Sequence, residues 1–143
     1  IRNLTGSYIV AGENLFGKAT YKLWLEKGAL DIYQPDLCSS GGFTELKKIA
    51  AIAQAYNTMV IPHVWGSGVG LAASLQYIAS LPTAPLSLTP VEPMLEYDQS
   101  SHPFRLDLIR DGIEFTDGFV KVPDTPGIGV EIDRKILDKF QIN

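Results

Sequence analysis

The stretch Val60-Ile61-Pro62-His63-Val64-Trp65-Gly66 decides how the rest of the chain is read. An apolar run leads into Pro62, and His63 then stands where a strand should be running out. Gly66, Gly68 and Gly70 follow at once, ahead of an Ala/Leu-rich run with helical phase. An imidazole at the carboxyl end of a buried strand, on the lip of a glycine loop, suits proton transfer, because its ordinary titration range straddles neutral pH. A histidine satisfied by a neighbouring backbone carbonyl would look the same from this stretch alone. The repeats on either side separate the two readings.

Working back toward the start, Thr58 to His63 is preceded by an amphipathic helix. Leu46, Ile49, Ala50, Ala53 and Tyr56/Asn57 fall at three-four spacing, with Lys47, Lys48 and Gln54 on the other face. Ahead of it, Ser39-Ser-Gly-Gly42 follows a strand from Ala29 to Asp36, in which Pro35 forces its predecessor extended. Earlier still, Ser7 to Glu13 reads as a short buried strand. Asn14 offers a polar start to a helix through Ala19, Leu23 and Leu25, closed by Gly28. Working forward, Val69 to Leu81 reads as a third helix, with Leu71, Leu75 and Ile78 in phase.

The strands are apolar rather than alternating, as strands buried on both faces of a parallel sheet are. Glu13 lies 23 residues before Asp36, and Asp36 lies 27 before His63. Each interval holds one helix and one strand, since a βαβ unit takes about 30 residues with both flanking strands counted. Three successive units therefore end on a titratable side chain. In a (β/α) barrel those ends share one face, and that face carries the active site.

Beyond Leu81 the pattern changes. Pro82, Pro85, Pro90 and Pro93 mark an extended connection, and Met94-Leu-Glu-Tyr-Asp98 is a short strand candidate that again delivers carboxylates. From Ser100 the chain is polar and turn-rich, through Ser-Ser-His-Pro, Arg-Asp-Gly and Thr-Asp-Gly. A strand over Phe119 to Pro123 and a closing helix over Asp133 to Phe140 complete it. The expected division is 1–98 as the C-terminal half of a barrel and 99–143 as a C-terminal segment that returns to cover something outside it. A complete barrel takes about 250 residues, so 143 residues with three strand–helix units and one more strand read as the second half of one. An isolated half would expose an apolar sheet edge; the expectation is a fragment, or a chain that a partner completes.

Composition narrows the partners. Sixteen acidic against twelve basic side chains give a net charge of −4 with no basic run, which argues against nucleic acid and anionic membrane surfaces. No apolar stretch reaches the roughly 18 residues of a spanning helix. The single cysteine, Cys38, allows no internal disulfide and points to a reducing, cytoplasmic home. Cys38 has no histidine near it in sequence and reads as packing rather than as a nucleophile.

Gly12-Glu13, Gln34-Pro-Asp36, Gly41-Gly42, Pro62-His63 and Leu95-Glu-Tyr-Asp98, in this order and spacing, resemble the enolase superfamily, and more closely its mandelate racemase subgroup. Val122-Pro-Asp-Thr-Pro-Gly-Ile-Gly129 is similar to that family's C-terminal segment, which returns to a capping domain. The resemblance implies a modified (β/α)₇β barrel, a TIM-like α/β fold, in which these strands are the fifth to the eighth. It implies that Glu13 is the third carboxylate ligand of an essential Mg²⁺. His63 would be the general base on the seventh strand, with Asp36 its partner on the sixth. Glu96 would be the acid that hydrogen-bonds the substrate carboxylate or its enolate. The muconate-lactonising subgroup carries a lysine where this chain has Asp and His, and fits less well. The first two metal ligands and the Lys-x-Lys motif of the family's second strand are not among these residues.

Those roles agree with the chemistry. An enediolate formed by removing a proton α to a carboxylate needs a cation beside it, and Mg²⁺ prefers oxygen ligands. A carboxylate behind an imidazole fixes its tautomer and strengthens it as a base. Glu96 would have to be protonated to donate. The alternatives are that Glu13 caps its own helix, that Asp36 caps the Ser39–Gly42 turn, and that Glu92 or Asp98 takes the place of Glu96. Trp65 reads as pocket wall or as core, and His102 as a solvent-exposed loop residue. The expected activity is Mg²⁺-dependent dehydration of an acid sugar by a homo-oligomeric enzyme acting on a small carboxylate. Racemisation or cycloisomerisation is the alternative within the family, and a non-catalytic scaffold half barrel the alternative outside it.

Overall fold

The computed structural model describes residues 4–83, 86–110 and 112–142; Pro85 of the proline-rich connection and Asp111 of Arg-Asp-Gly lie outside the described residues. Its centre is a three-stranded parallel sheet of β1 (Val10–Ala11), β2 (Ile32–Tyr33) and β3 (Met59–Val60), in that order. Val10 and Ala11 pair with Ile32 and Tyr33, which pair in turn with Met59 and Val60. The ladder continues beyond the strands, through Gln34 N–H to the Ala11 carbonyl at 3.0 Å and His63 N–H to the Pro35 carbonyl at 3.2 Å. The strands are shorter than the apolar runs that announce them. Pro35 and Pro62, both fully buried, have no N–H to give and interrupt the ladder just before Asp36 and His63. Asp36 and His63 then face each other as an isolated parallel bridge.

The expectation that all three strands are buried holds for β2 and fails for β1, whose Val10 is 42% exposed. The cause is position: β1 is an edge of the described sheet, and only the central strand is covered on both sides.

Helices α1 (Gly17–Glu26), α2 (Gly42–Ala55) and α3 (Gly68–Ala79) connect and follow the strands. Helix α2 buries Leu46, Ile49, Ala50 and Ala53, the stripe its periodicity predicts, while Tyr56 and Asn57 lie beyond its end and are exposed. Helix α1 departs from expectation. It buries Tyr21 and Leu25, one turn apart, while Ala19 and Leu23 are exposed. Its start is not capped by Asn14, whose amide instead donates to Glu13 Oε1 at 3.2 Å. The cap arrives from α2: Glu45 Oε1 accepts the Lys18 N–H at 2.9 Å, a carboxylate where the helix dipole favours one. Helix α3 is capped by its own Ser67, which accepts from Gly70 N–H, and buries Leu71, Leu75 and Ile78 as expected.

Two apolar clusters result. One joins α1, α2 and β2 around Tyr21, Leu25, Tyr33, Leu46 and Ile49. The other sets Leu71, Ala72 and Leu75 of α3 and Val64 against Ile109 and Ile113. The second is formed with the C-terminal segment, where β4 (Ile109–Arg110) pairs antiparallel with β7 (Glu131–Ile132) around a hairpin of β5 (Phe115–Thr116) and β6 (Phe119–Val120). Gln76 of α3 holds this segment through its amide, donating to the Pro123 carbonyl at 2.6 Å. Helix α4 (Arg134–Lys139) closes the segment, capped by Asp133. Residues 94–98, expected as a strand, form none and have no place in a sheet among the described residues.

Candidate active site

The carboxyl ends of β1, β2 and β3 present Glu13, Asp36 and His63 on the same edge of the sheet, as parallel pairing of successive strand–helix units produces. Gly12 makes the first of these ends possible. A Cβ there would sit 3.0 Å from the Gln34 nitrogen, and its φ of +137° is one that glycine alone adopts without strain. Tyr21 Oη donates to the Gly12 carbonyl at 2.6 Å and fixes the turn that presents Glu13.

Asp36 divides its two oxygens between structure and site. Oδ1 accepts the N–H groups of Cys38 at 2.7 Å and Ser39 at 2.9 Å, which cap the turn after β2. Oδ2 meets His63 Nδ1 at 2.8 Å. Capping the turn and holding the imidazole were alternatives in the sequence; in the structure the same carboxylate does both. An ionised carboxylate only accepts, so His63 donates from Nδ1, and a neutral ring then leaves Nε2 with its lone pair outward. That nitrogen stands 3.2 Å from Glu13 Oε2, so a protonated ring is ion-paired on both sides. The side chains of His63 and Asp36 are 20% and 14% exposed, against 53% for Glu13. The imidazole is thus held from the inside of the fold and addressed from outside.

The three carboxylates on either side of Pro93 differ in their contacts. Glu96 Oε2 accepts the Val64 N–H at 3.0 Å, directly after His63. Asp98 is turned away, with its oxygens on the N–H and hydroxyl of Ser100, and Arg105 donating to its backbone carbonyl. The Ser100 N–H, more than any other contact, holds the Asp98 carboxyl below its usual range. Glu92 lines a cavity of about 210 Å³ enclosed by β3, α3 and the proline-rich connection, to which none of Glu13, Asp36, His63 or Glu96 contributes.

Trp65 is 63% exposed and belongs to neither core cluster, so it is not core. His102 departs from expectation. It is half-buried, edge-on to Trp65 and tilted against Phe104, and accepts the Phe104 N–H on Nδ1 at 3.2 Å. Ser-Ser-His-Pro had suggested a solvated turn; the signal that could have found His102 is the spaced aromatic residue two positions on. Cys38 contributes its backbone N–H to Asp36, and its thiol is pushed up, chiefly by burial and then by the Asp36 charge.

Glu13 offers hard oxygens at an accessible position, the donor type Mg²⁺ takes. No group of three His, Cys, Asp or Glu side chains arranged to hold a metal occurs among the described residues. Glu13 has the chemistry of one ligand in a larger set. No helix of the described residues is long and apolar enough to cross a membrane.

A profile of the family described as enolase C-terminal domain-like matches residues 1–136. D-galactarolactone cycloisomerase of Agrobacterium fabrum is 43% identical over 136 residues, covering 94% of this chain and 35% of that protein. D-gluconate dehydratase of Thermoproteus tenax is 34% identical over 140 residues, covering 98% of this chain and 27% of that protein. Among solved structures, 3,6-anhydro-D-galactonate cycloisomerase from Zobellia galactanivorans superposes with a TM-score of 0.87 at 34% identity, over 97% of this chain and 37% of its own. The chain spans about a third of the length of these relatives.

Proposed function

This chain belongs to the enolase C-terminal domain-like family, as a mandelate racemase relative with part of that superfamily's barrel fold, and from that premise we propose that it supplies the acid–base side of a sugar-acid β-elimination. The observation that carries the proposal is the His63 imidazole, fixed at Nδ1 by Asp36 at 2.8 Å with Nε2 turned toward the carboxylate of Glu13.

In the proposed reaction the proton α to the substrate carboxylate is removed and its electron pair moves into the carboxylate, giving an enediolate. The pair returns to form a carbon–carbon double bond as the oxygen on the β carbon leaves. His63 exchanges a proton through Nε2, either as the α base or as the acid that protonates the departing oxygen. Asp36 keeps Nδ1 protonated and balances the imidazolium. Glu96, beside the Val64 N–H, borders the substrate carboxylate, and Trp65 borders the rest of the substrate. Glu13 would be this chain's ligand to Mg²⁺, whose chemistry when bound is to offset the charge of the enediolate. The remaining metal ligands and a lysine base are what the family resemblance assigns to other parts of a full-length protein.

Dehydration is the preferred outcome, and the relatives named as dehydratases support it. Cycloisomerisation is the second reading, favoured by the 43% identity to a cycloisomerase. The two move the same electrons. A free β-hydroxyl departs as water, whereas a ring oxygen stays tethered and the product is an isomer. The test is to incubate the full-length protein and Mg²⁺ with a panel of aldonates, aldarates and their lactones, following 2-keto acid formation and product mass. The expected result is a keto product on at least one sugar acid, abolished by EDTA and restored by Mg²⁺. No product on the entire panel, or metal-independent turnover, would overturn the reading.

A further inference from the structure

Trp65 keeps 63% of its surface exposed, although it lies only two residues beyond His63. Val64 between them is buried at 6%, and its N–H is taken by Glu96. Val64 thus turns inward while Trp65 and the partly exposed His63 on either side of it reach the surface. The indole is exposed but its plane is not free. His102 meets it edge-on, with ring centroids 6.0 Å apart and planes at 61°. His102 is itself fixed, by the Phe104 N–H on Nδ1 and by the Phe104 ring at 5.9 Å. With Nδ1 accepting, the neutral ring carries its proton on Nε2.

The turn that holds His102 is fastened to the loop that holds Trp65. Arg105 N–H closes it on the His102 carbonyl at 3.0 Å, and Gly68 N–H donates to the Phe104 carbonyl at 2.8 Å. A side chain at Gly68 would collide with the Arg105 carbonyl oxygen, 2.1 Å from an added Cβ, so the two backbones touch there. The C-terminal segment thereby sets the attitude of an aromatic face beside the candidate general base. A sugar acid presents hydroxyls along one side and a run of C–H bonds along the other, and a rigid exposed aromatic ring suits the latter.

We propose that Trp65 and His102 form a two-ring wall that takes the C–H face of a sugar acid, with Trp65 touching substrate and His102 acting as the positioning residue that fixes the indole plane. The proposal rests on the sugar-acid reading above.

The test uses the full-length enzyme on the best sugar acid of the panel, with tartronate as a competitive probe too short to present a C–H face. His102→Phe keeps a ring without the acceptor, and His102→Asn keeps an acceptor without the ring. The expected result is KM raised about 3–10-fold in His102→Asn, the worth of one aromatic pair, with kcat within about twofold. His102→Phe should restore KM, and the inhibition constant of tartronate should stay unchanged in both. Trp65→Ala should raise KM at least as much, with the double variant Trp65→Ala/His102→Asn no worse than Trp65→Ala, as expected for residues that act as one unit. Wild-type KM in both His102→Asn and Trp65→Ala, additive losses, or equal loss of tartronate binding would overturn the wall. If His102→Asn fails to fold, Trp65→Phe against Trp65→Ala decides, since only the former should keep KM near wild type. Absence of wild-type turnover on any sugar acid overturns the functional reading and this one with it, whereas turnover that ignores both rings overturns this one alone.

Discussion

Asp36 and His63 are joined twice, by a parallel backbone bridge and by a 2.8 Å contact between Oδ2 and Nδ1. The backbone pairing sets the distance between strand ends, and the side-chain contact uses it. Because Oδ1 is occupied by two N–H groups of the following turn, the carboxylate cannot rotate away without losing them.

Asp36→Asn therefore separates charge from architecture. The amide oxygen can still cap the turn, but its NH₂ then faces His63 Nδ1 and selects the wrong tautomer, with the proton on Nε2. Turnover in the full-length enzyme should fall by about 10²–10⁴-fold, with the melting temperature nearly unchanged. Asp36→Ala should lose the same activity and in addition about 1–2 kcal/mol of stability, for the lost turn cap. Wild-type turnover in Asp36→Asn would remove Asp36 from the mechanism.

Tyr21 gives a stability prediction with a pH signature. Its hydroxyl is buried on the Gly12 carbonyl, and Tyr21→Phe leaves that carbonyl with the Leu15 N–H alone, at about 0.5–1.5 kcal/mol by urea denaturation. Burial raises the phenol from near 10 to about 12, a hydrogen bond with Ser40 offsets part of this, and the Asp36 charge adds to it. The unfolded chain loses this proton near pH 10 while the folded protein keeps it. Between those values the folded state binds more protons, so stability falls as pH rises from about 10 to 12. The fall should be shallower in Tyr21→Phe; parallel curves for the two proteins would contradict the assignment.

The strand-end register was legible because each interval, 23 and 27 residues, holds one helix and one strand, and parallel pairing then brings the strand ends to one edge. The amphipathic stripe of α2 was legible for the same local reason. What sequence could not provide were partners distant along the chain. Glu45 caps α1 across 27 residues, and that contact displaced the local candidate Asn14. Leu23 looked like core and Tyr21 did not, yet Tyr21 is the one with a buried acceptor for its hydroxyl. Glu92, Glu96 and Asp98 are indistinguishable as letters. The path of residues 94–98 past Val64 is what brings Glu96 onto the Val64 N–H. His102 was misread because a turn-forming neighbourhood says nothing about the aromatic rings that fold over it.

The contact between Gly68 and Arg105 predicts an intolerant position. An alanine methyl would meet the Arg105 carbonyl at 2.1 Å and Ile109 at 3.0 Å, so the C-terminal segment has to lift from α3. Gly68→Ala should cost about 1–3 kcal/mol and open residues 99–108 to limited proteolysis. Gly112→Ala, whose methyl meets nothing within 4 Å, is the control and should stay within about 0.5 kcal/mol of wild type. Equal stability of the two variants would mean that the segment is not seated on α3 as described.

The role of His63 can be divided by isotope exchange. His63→Asn keeps a polar side chain of similar reach but cannot move a proton at Nε2, and overall turnover should fall by about 10²–10⁴-fold. The two assignments of His63 then differ in what survives. If His63 is the α base, exchange of the substrate α proton with deuterated solvent stops along with elimination. If it is the acid for the departing β oxygen, with a lysine elsewhere in the full-length enzyme as base, exchange persists while elimination stops. The second outcome is expected, because in dehydration and ring opening alike the β oxygen must gain a proton, and Asp36 keeps Nε2 supplied with one by pairing the imidazolium at 2.8 Å. NMR of the substrate in D₂O with Mg²⁺ reads both steps in one tube. Glu13→Gln in parallel should weaken Mg²⁺ binding by calorimetry and recover partly at high Mg²⁺, which no proton-transfer variant should do. Elimination at the wild-type rate in His63→Asn would end the assignment of His63 to either step.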